Sequence, residues 1–503
     1  MKRSSSNSLE AFLDIAWRNI GRASVDLDLP DIVNYADIGS QWETFKATLI
    51  RDFKSGDLLP LSVEIVDLPK DRIAVRPLAR LDIARRLAYE AFVIAIAPEI
   101  GRITSKSVYS SRWWKKEQRM LSPIGWWIRM QKDARKFHRK NPDYFLARTD
   151  ISSFFEHVDV SILSDDLRQL GVEPWAREAL EQFLRAFNNM SSAWGIPQGP
   201  DMSGSLANLY LAPLDSELRR SGFRHFRYSD DMYIFGKDWS ALRQILVNTN
   251  RTLRHRHLNL ASSKTEIIAS DKVLEHLEDR EKDAINYGIN VGMDNVNDDL
   301  HALFDRAIET ESARDLKFCL TNLREIKDDY AIHWLLANFL SVPHIARQVL
   351  IYLSLFTEEQ PHIGRIVARH LASDELALYP YAQCHIFVFL IRNSIKSRVA
   401  VDSAWAVLLD RNAETFLRET AARYLGLFSQ AGESARLKQE YQVEPNSRVR
   451  RALLVACYES NQCSDEWLLS VTSADPVLAL TADYLRSNPT FVPFPEVESP
   501  AWQ

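Results

Sequence analysis

Hydrophobic and polar positions follow two different rhythms along this chain. Up to about residue 270, amphipathic helical patterns are interrupted by short β-like runs at 144–149, 224–228, 232–235 and 266–269. That mixture predicts an α+β unit built on a small antiparallel sheet. A polar stretch over 270–299, rich in Asp and Asn, reads as a junction. Beyond it nearly every segment is an amphipathic helix of about 10 to 18 residues, with short turns and almost no strand signal.

Within the second half, segments 345–353, 417–426 and 449–457 are alike. Taking Arg347, Arg418 and Arg450 as equivalent gives spacings of 71 and 32 residues, near two periods and one period of a helix-pair repeat. The pattern resembles degenerate HEAT-type repeats and predicts a stacked helical array.

Composition narrows the class. Of 503 residues, 46% are hydrophobic and 26% charged, ordinary values that argue against a disordered or fibrous chain. With 16 glycines the chain is poor in the residue that turn-dense all-β folds need. No apolar run approaches the roughly 18 residues of a membrane span, the best stopping at Arg392. The first residues are basic without an apolar core, so the chain reads as cytoplasmic rather than secreted. Cys319, Cys384, Cys457 and Cys463 show no CxxC pairing and read as free thiols in a reducing compartment.

The net charge of -5 conceals an asymmetry. Between Arg102 and Lys140 stand twelve Lys/Arg and two acids, a local charge of +10 that leaves -15 for the rest. Tyr109, Trp113, Trp114, Trp126, Trp127 and Phe137 are interleaved with them. Cations neutralise phosphates and aromatic faces stack bases, so Arg112, Lys115, Lys116 and Arg119 are candidate nucleic-acid contacts. The bland alternative is a solvated surface over core tryptophans.

Candidate chemistry lies in acids. Asp230 and Asp231 sit between apolar β-like runs, where adjacent carboxylates repel unless a cation compensates. Asp165-Asp166, Asp298-Asp299 and Asp328-Asp329 lack flanking β runs and read as solvated pairs. A further acid, Asp150, ends the 144–149 run just before Ile-Ser-Ser-Phe-Phe. Between them, Trp194-Gly-Ile-Pro-Gln-Gly-Pro opens an apolar helix and can present backbone N–H groups and the Gln198 amide to a nucleotide. Acids in this arrangement suit two-metal phosphoryl or nucleotidyl transfer.

In combination these motifs resemble the reverse transcriptases, and among them the bacterial ones. Thr149-Asp-Ile-Ser-Ser-Phe-Phe155 is similar to their first palm motif, 195–208 to the second, and Tyr228-Ser-Asp-Asp231 to YxDD. The Lys264 segment is similar to the lysine-bearing motif that follows, and 75–78 and 107–112 to fingers segments. The likeness covers roughly residues 70 to 270. Gly204 stands where many members carry proline, which implies a differently set loop.

What the resemblance implies is specific. Asp150 and Asp230 ligate two Mg²⁺ ions (or Mn²⁺), Asp231 completes the cluster and the Ile151 carbonyl assists. Phe155 is an aromatic gate under the sugar, Gln198 contacts the incoming dNTP, Lys264 approaches the leaving pyrophosphate, and Arg76 or Arg80 holds the triphosphate. Fingers and palm of a right-hand-like polymerase occupy 1–275, a linker 276–300, and an α-helical HEAT-like repeat domain 301–503 in place of a thumb. That arrangement resembles the abortive-infection and defence-associated enzymes. It implies antiphage action, an RNA template (in some members a non-coding RNA), protein priming or template-independent synthesis, single-stranded cDNA, and a homo-oligomer without a membrane. Two other readings compete: a nucleic-acid-binding scaffold with a vestigial palm, and a retron- or intron-type enzyme with a dedicated template RNA.

Overall fold

The computed structural model describes residues 2–20, 28–60, 62–291, 293, 296–472 and 476–487. Eight strands and a large set of helices are assigned among them. Four of the strands form the sheet that positions the candidate site. These are β5 (Phe145–Thr149), β6 (Arg224–Tyr228), β7 (Asp231–Gly236) and β8 (Glu266–Ile268), antiparallel in the order β6-β7-β5-β8. The β-like runs of the sequence thus become one sheet.

Period-two alternation explains why the sheet is covered on both faces. Ala147, Met232 and Ile234 join one core cluster with Leu242, Ile245 and Leu246 of helix Trp239–Arg254. Their strand neighbours Leu146, Tyr233 and Phe235 face the other way, into a cluster with Met130 and Ala134 of helix Pro123–Lys140 and with Val273 and Leu277. A sheet clamped between helices leaves its strand ends and turns as the places that reach solvent.

Ahead of this palm lie two small hairpins. Strands β1 (Glu64–Pro69) and β2 (Val75–Arg80) pair antiparallel, as do β3 (Trp113–Trp114) and β4 (Arg119–Met120). Helix Ile83–Ile103 runs between the hairpins, with the Asp82 side chain accepting from Arg85 N at its start and most of its length buried.

The segment expected as a linker over 276–300 contains helix Arg280–Val291 and the start of helix Val296–Glu309. Ile285, Val296 and Leu300 belong to the C-terminal core, so the polar composition marks a helix face and not a free connector. Downstream, helices Ala313–Glu325, Ala346–Ser354, Pro380–Arg392, Thr415–Phe428, Ser447–Glu459 and Pro476–Ser487 pack in series. A second layer contains Ile332–Ala337, His362–His370 and Arg398–Leu409. Arg347, Arg418 and Arg450 lie on three helices of the first layer, with Pro380–Arg392 intervening between the first two.

This array is not a separate body. Leu29, Ile32, Val33, Val66 and Leu78, from the N-terminal segment and the β1–β2 hairpin, share its core. A charge network crosses the same junction: Arg451 pairs with Asp31 at 2.6 Å and Asp37 at 2.7 Å, and Thr481 donates to Asp37 at 2.7 Å. Cys319, Cys384 and Cys457 are buried, Cys463 is half-buried, and all four are free thiols. Among the described residues no helix is long and apolar enough to cross a membrane.

Candidate active site

The site grows from the ends of the two central strands. Thr149 of β5 faces Met232 of β7, so extending the register by one residue sets Asp150 against Asp231. Past the strand the chain stays extended: Ala261 N donates to Asp150 O at 2.8 Å and Ser152 N to Asn259 O at 3.0 Å. Those bonds draw the 259–264 segment alongside, and Lys264 Nζ donates to Asp150 Oδ2. Asp150 is only 4% exposed, and its buried Oδ1 has no hydrogen-bond partner.

Three carboxylates in one place are costly. Burial first, and then the charge of Asp150, push the Asp230 carboxyl up to about 6. The same two causes raise Asp231, against the opposing charges of Lys264 and Arg148. Lys264 is raised by its bond to Asp150 and by all three acids. An all-oxygen donor set with an unshared buried oxygen on Asp150 fits a hard divalent cation. Among the described residues, no three His, Cys, Asp or Glu side chains already stand at liganding distance.

Asp230 is carried by a two-residue turn between β6 and β7. Ser229 occupies the left-handed region at φ 56°, which glycine prefers, so neighbours must hold it. Ser229 N donates to Ser110 Oγ at 2.7 Å, and Arg227 Nη1 donates to Ser229 O at 2.9 Å. Arg227 is fully buried and grips Asp215 with two bonds of 2.9 and 2.7 Å, adding one to Asn208 Oδ1 at 3.2 Å. Burial would raise Asp215, but the Arg227 charge and hydrogen bonds outweigh it and hold the carboxyl below its ordinary value. Sequence reasoning reached Asn208 but not Arg227 or Asp215. The available signal was an arginine inside a β-like run, two residues before the turn.

The glycine loop lies against the other side. Gly195, at φ 72°, approaches the chain so closely that a Cβ would stand 2.1 Å from Phe155 O. Ile196 N donates to that same carbonyl at 3.0 Å, and Asn188 braces Gly195 through both its amide N and O. At the far end Ala79 N donates to Gln198 O at 2.8 Å, tying the loop to β2. Phe155 is half-buried in this corner, edge-on to Phe154 at 5.6 Å. Gly204 is already inside helix Ser203–Arg220, where a Cβ would meet Ser111 Oγ at 2.0 Å. Its smallness admits the 107–112 segment.

Two expected contacts are corrected. Arg80 does not present its charge to a triphosphate: it forms two 2.8 Å bonds to Glu419 and one of 3.0 Å to Glu64 in a nearly buried junction. Arg112 folds its own loop, donating to Ser105 O at 2.9 Å and Val108 O at 2.6 Å with its guanidinium over Trp126. Arg119 lies over Trp114 and pairs with Glu117 at 2.8 Å. Lys115 and Lys116 are exposed at the tip of the β3–β4 hairpin. Arg76 is exposed on β2, with its charge acting on Asp28 and Lys317.

Residues 93–290 match the family model described as reverse transcriptase (RNA-dependent DNA polymerase). That span includes Asp150, Phe155, Gln198, Asp230, Asp231 and Lys264 and ends within helix Arg280–Val291, ahead of most of the helical array. Similar solved structures include telomerase from Candida albicans in complex with a TWJ fragment of telomeric RNA, at 11% identity and a TM-score of 0.32, covering 68% of this chain and 70% of that one. No curated protein matches the sequence. The palm motifs lie inside the matched span, so residues 93–290 are similar to the reverse transcriptases, a likeness that supports RNA-directed DNA polymerase activity.

Proposed function

We propose that the chain makes single-stranded cDNA from dNTPs by two-metal nucleotidyl transfer and that it serves bacterial antiphage defence. The observation that carries the catalytic part is the convergence of Asp150, Asp230 and Asp231 at adjoining strand ends, with the Asp150 Oδ1 unshared. Asp150, Asp230 and the Ile151 carbonyl would hold two Mg²⁺ ions, with Asp231 completing the charge. Bound there, the ions would neutralise phosphate charge and polarise the attacking and leaving oxygens.

The protein's own residues supply orientation. Phe155 lies beneath the sugar and leaves no room for a 2′-hydroxyl. Gln198, fixed through its carbonyl to β2, offers its side-chain amide to the nucleotide. Lys264 neutralises Asp150 and stands ready for the leaving pyrophosphate. The array replaces a thumb as a HEAT-like repeat unit that walls the palm and carries homo-oligomer contacts. Its junction with the β1–β2 hairpin supports this reading.

Incubating the purified full-length protein with Mg²⁺ and dNTPs, with and without an added RNA, tests the reading. The expected product is nuclease-sensitive DNA whose sequence is complementary to the added or copurified RNA. Synthesis that ignores RNA would mark template-independent addition, and absence of any incorporation overturns the polymerase assignment. Equal phage plaque counts for the wild type and Asp230→Asn would overturn the defence role.

A further inference from the structure

Among the described residues, one helix face beside the catalytic turn is left uncovered. Helix Pro123–Lys140 buries Met130, Ala134 and His138, whereas Ile124 and Ile128 are 48% and 56% exposed. Lys132 and Lys136 continue the same face and are exposed. These positions recur every fourth residue, so they form one stripe. Scattered exposed apolar residues are ordinary, but two on consecutive turns next to a catalytic turn are a patch.

The stripe begins at the YxDD turn. Tyr228 OH donates to Pro123 O at 2.8 Å, and the Trp127 ring meets Tyr228 edge-on at 5.1 Å. The helix has six Lys/Arg and a single acid, Asp133. Arg135 and Arg139 are taken up by Asp283 and Glu278, at 2.8 and 2.5 Å, and Arg129 lies over the Trp126 ring, which leaves Lys132, Lys136 and Lys140 facing water. Apolar and aromatic surface at the turn, followed by cations farther out, complements the bases and phosphates of one strand. From Ile124 to Lys136 the face runs about 18 Å, the length of about five nucleotides at 3.4 Å each.

We infer that this stripe carries a single nucleic-acid strand away from the catalytic turn, with Ile124, Trp127 and Ile128 against bases and Lys132 and Lys136 on phosphates. The inference rests on the polymerase reading, because that reading places a strand end at Tyr228. Anisotropy of a fluorescein-labelled dT 20-mer on the full-length protein tests it. Ile124→Ser with Ile128→Ser should weaken binding roughly tenfold at fixed salt with the salt slope kept. Lys132→Glu with Lys136→Glu should flatten the log–log salt slope by about 1.4, two phosphates' worth for a single strand. Unchanged affinity and slope in both variants overturn the inference. So does an isoleucine variant with normal strand affinity but a lower light-scattering mass, since the face would then dock a second copy. Asp230→Asn separates the two readings: it should still bind the strand while losing synthesis. If it kept synthesis, the catalytic assignment would fail and the binding result would stand by itself.

Discussion

Arg80 grips Glu419 with two parallel 2.8 Å bonds although 339 positions separate them. The pair joins the β1–β2 hairpin to the middle of the helical array, with Glu64 as a further acceptor. A nearly buried ion pair is weak evidence for net stability, but breaking one side strands a charge. Arg80→Met should therefore destabilise the fold by about 3–5 kcal/mol in denaturant unfolding, and Arg80→Met with Glu419→Leu should recover much of it. If Arg80 instead held a triphosphate, the single variant would keep its stability and raise the KM for dNTPs.

The buried Arg227 fixes the turn that carries Asp230 through Ser229 O, Asp215 and Asn208. Lysine cannot reproduce that fork. Arg227→Lys should lower kcat by about 100-fold, as expected for a small misplacement of a reacting group, with the KM for dNTPs little changed. A parallel thermal melt shows how much protein stays folded. Normal kcat in the folded fraction would show that the turn holds its shape without this arginine.

Asp230 titrates near 6, above its ordinary 3.8, because burial and Asp150 oppose its ionisation. The folded state therefore binds this proton more tightly than the unfolded state does. Its contribution to stability is full below about pH 4 and is lost as pH rises towards 6. Cation binding needs the ionised form, so apparent Mg²⁺ affinity should climb through pH 6 with proton release. Calorimetry in buffers of different ionisation enthalpy measures that release, and Asp230→Asn should remove most of it.

Lys264 is bonded to Asp150 and lowers Asp231 by its charge. Lys264→Met should raise Asp231 further and move the alkaline-going rise of kcat/KM to higher pH. An unmoved pH profile would make Lys264 a surface residue.

Phe155 is expected to select deoxy substrates. Phe155→Ala should raise the kcat/KM for rNTPs relative to dNTPs, and an unchanged ratio would return the ring to the core.

The sheet was legible because 224–228 and 232–235 combine β-prone residues with a turn, and the structure pairs them as β6 and β7. Asp150 was legible as an acid closing such a run. Arg227 was hidden for the opposite reason: a charged residue in a strand normally reads as solvent-facing, and only its partner Asp215, 12 positions earlier on a helix, makes burial affordable. Arg80 and Arg112 misled because basic residues near phosphate-handling motifs suggest phosphate. One is claimed by Glu419 and the other by backbone carbonyls, and neither partner leaves a periodic trace beside it. The 276–300 segment looked like a connector because its exposed face is polar, while its few apolar positions, such as Ile285 and Leu300, suffice to seat helices on the array.

The most direct test of the central claim is metal-dependent dNTP incorporation by Asp230→Asn with Asp231→Asn, in protein shown by melting to be folded. Relieving repulsion between acids should leave the fold intact. Incorporation should fall by at least about two orders of magnitude, because the loss of metal ligands forfeits several kcal/mol of charge stabilisation. Undiminished synthesis by the folded double variant would contradict catalysis at these carboxylates.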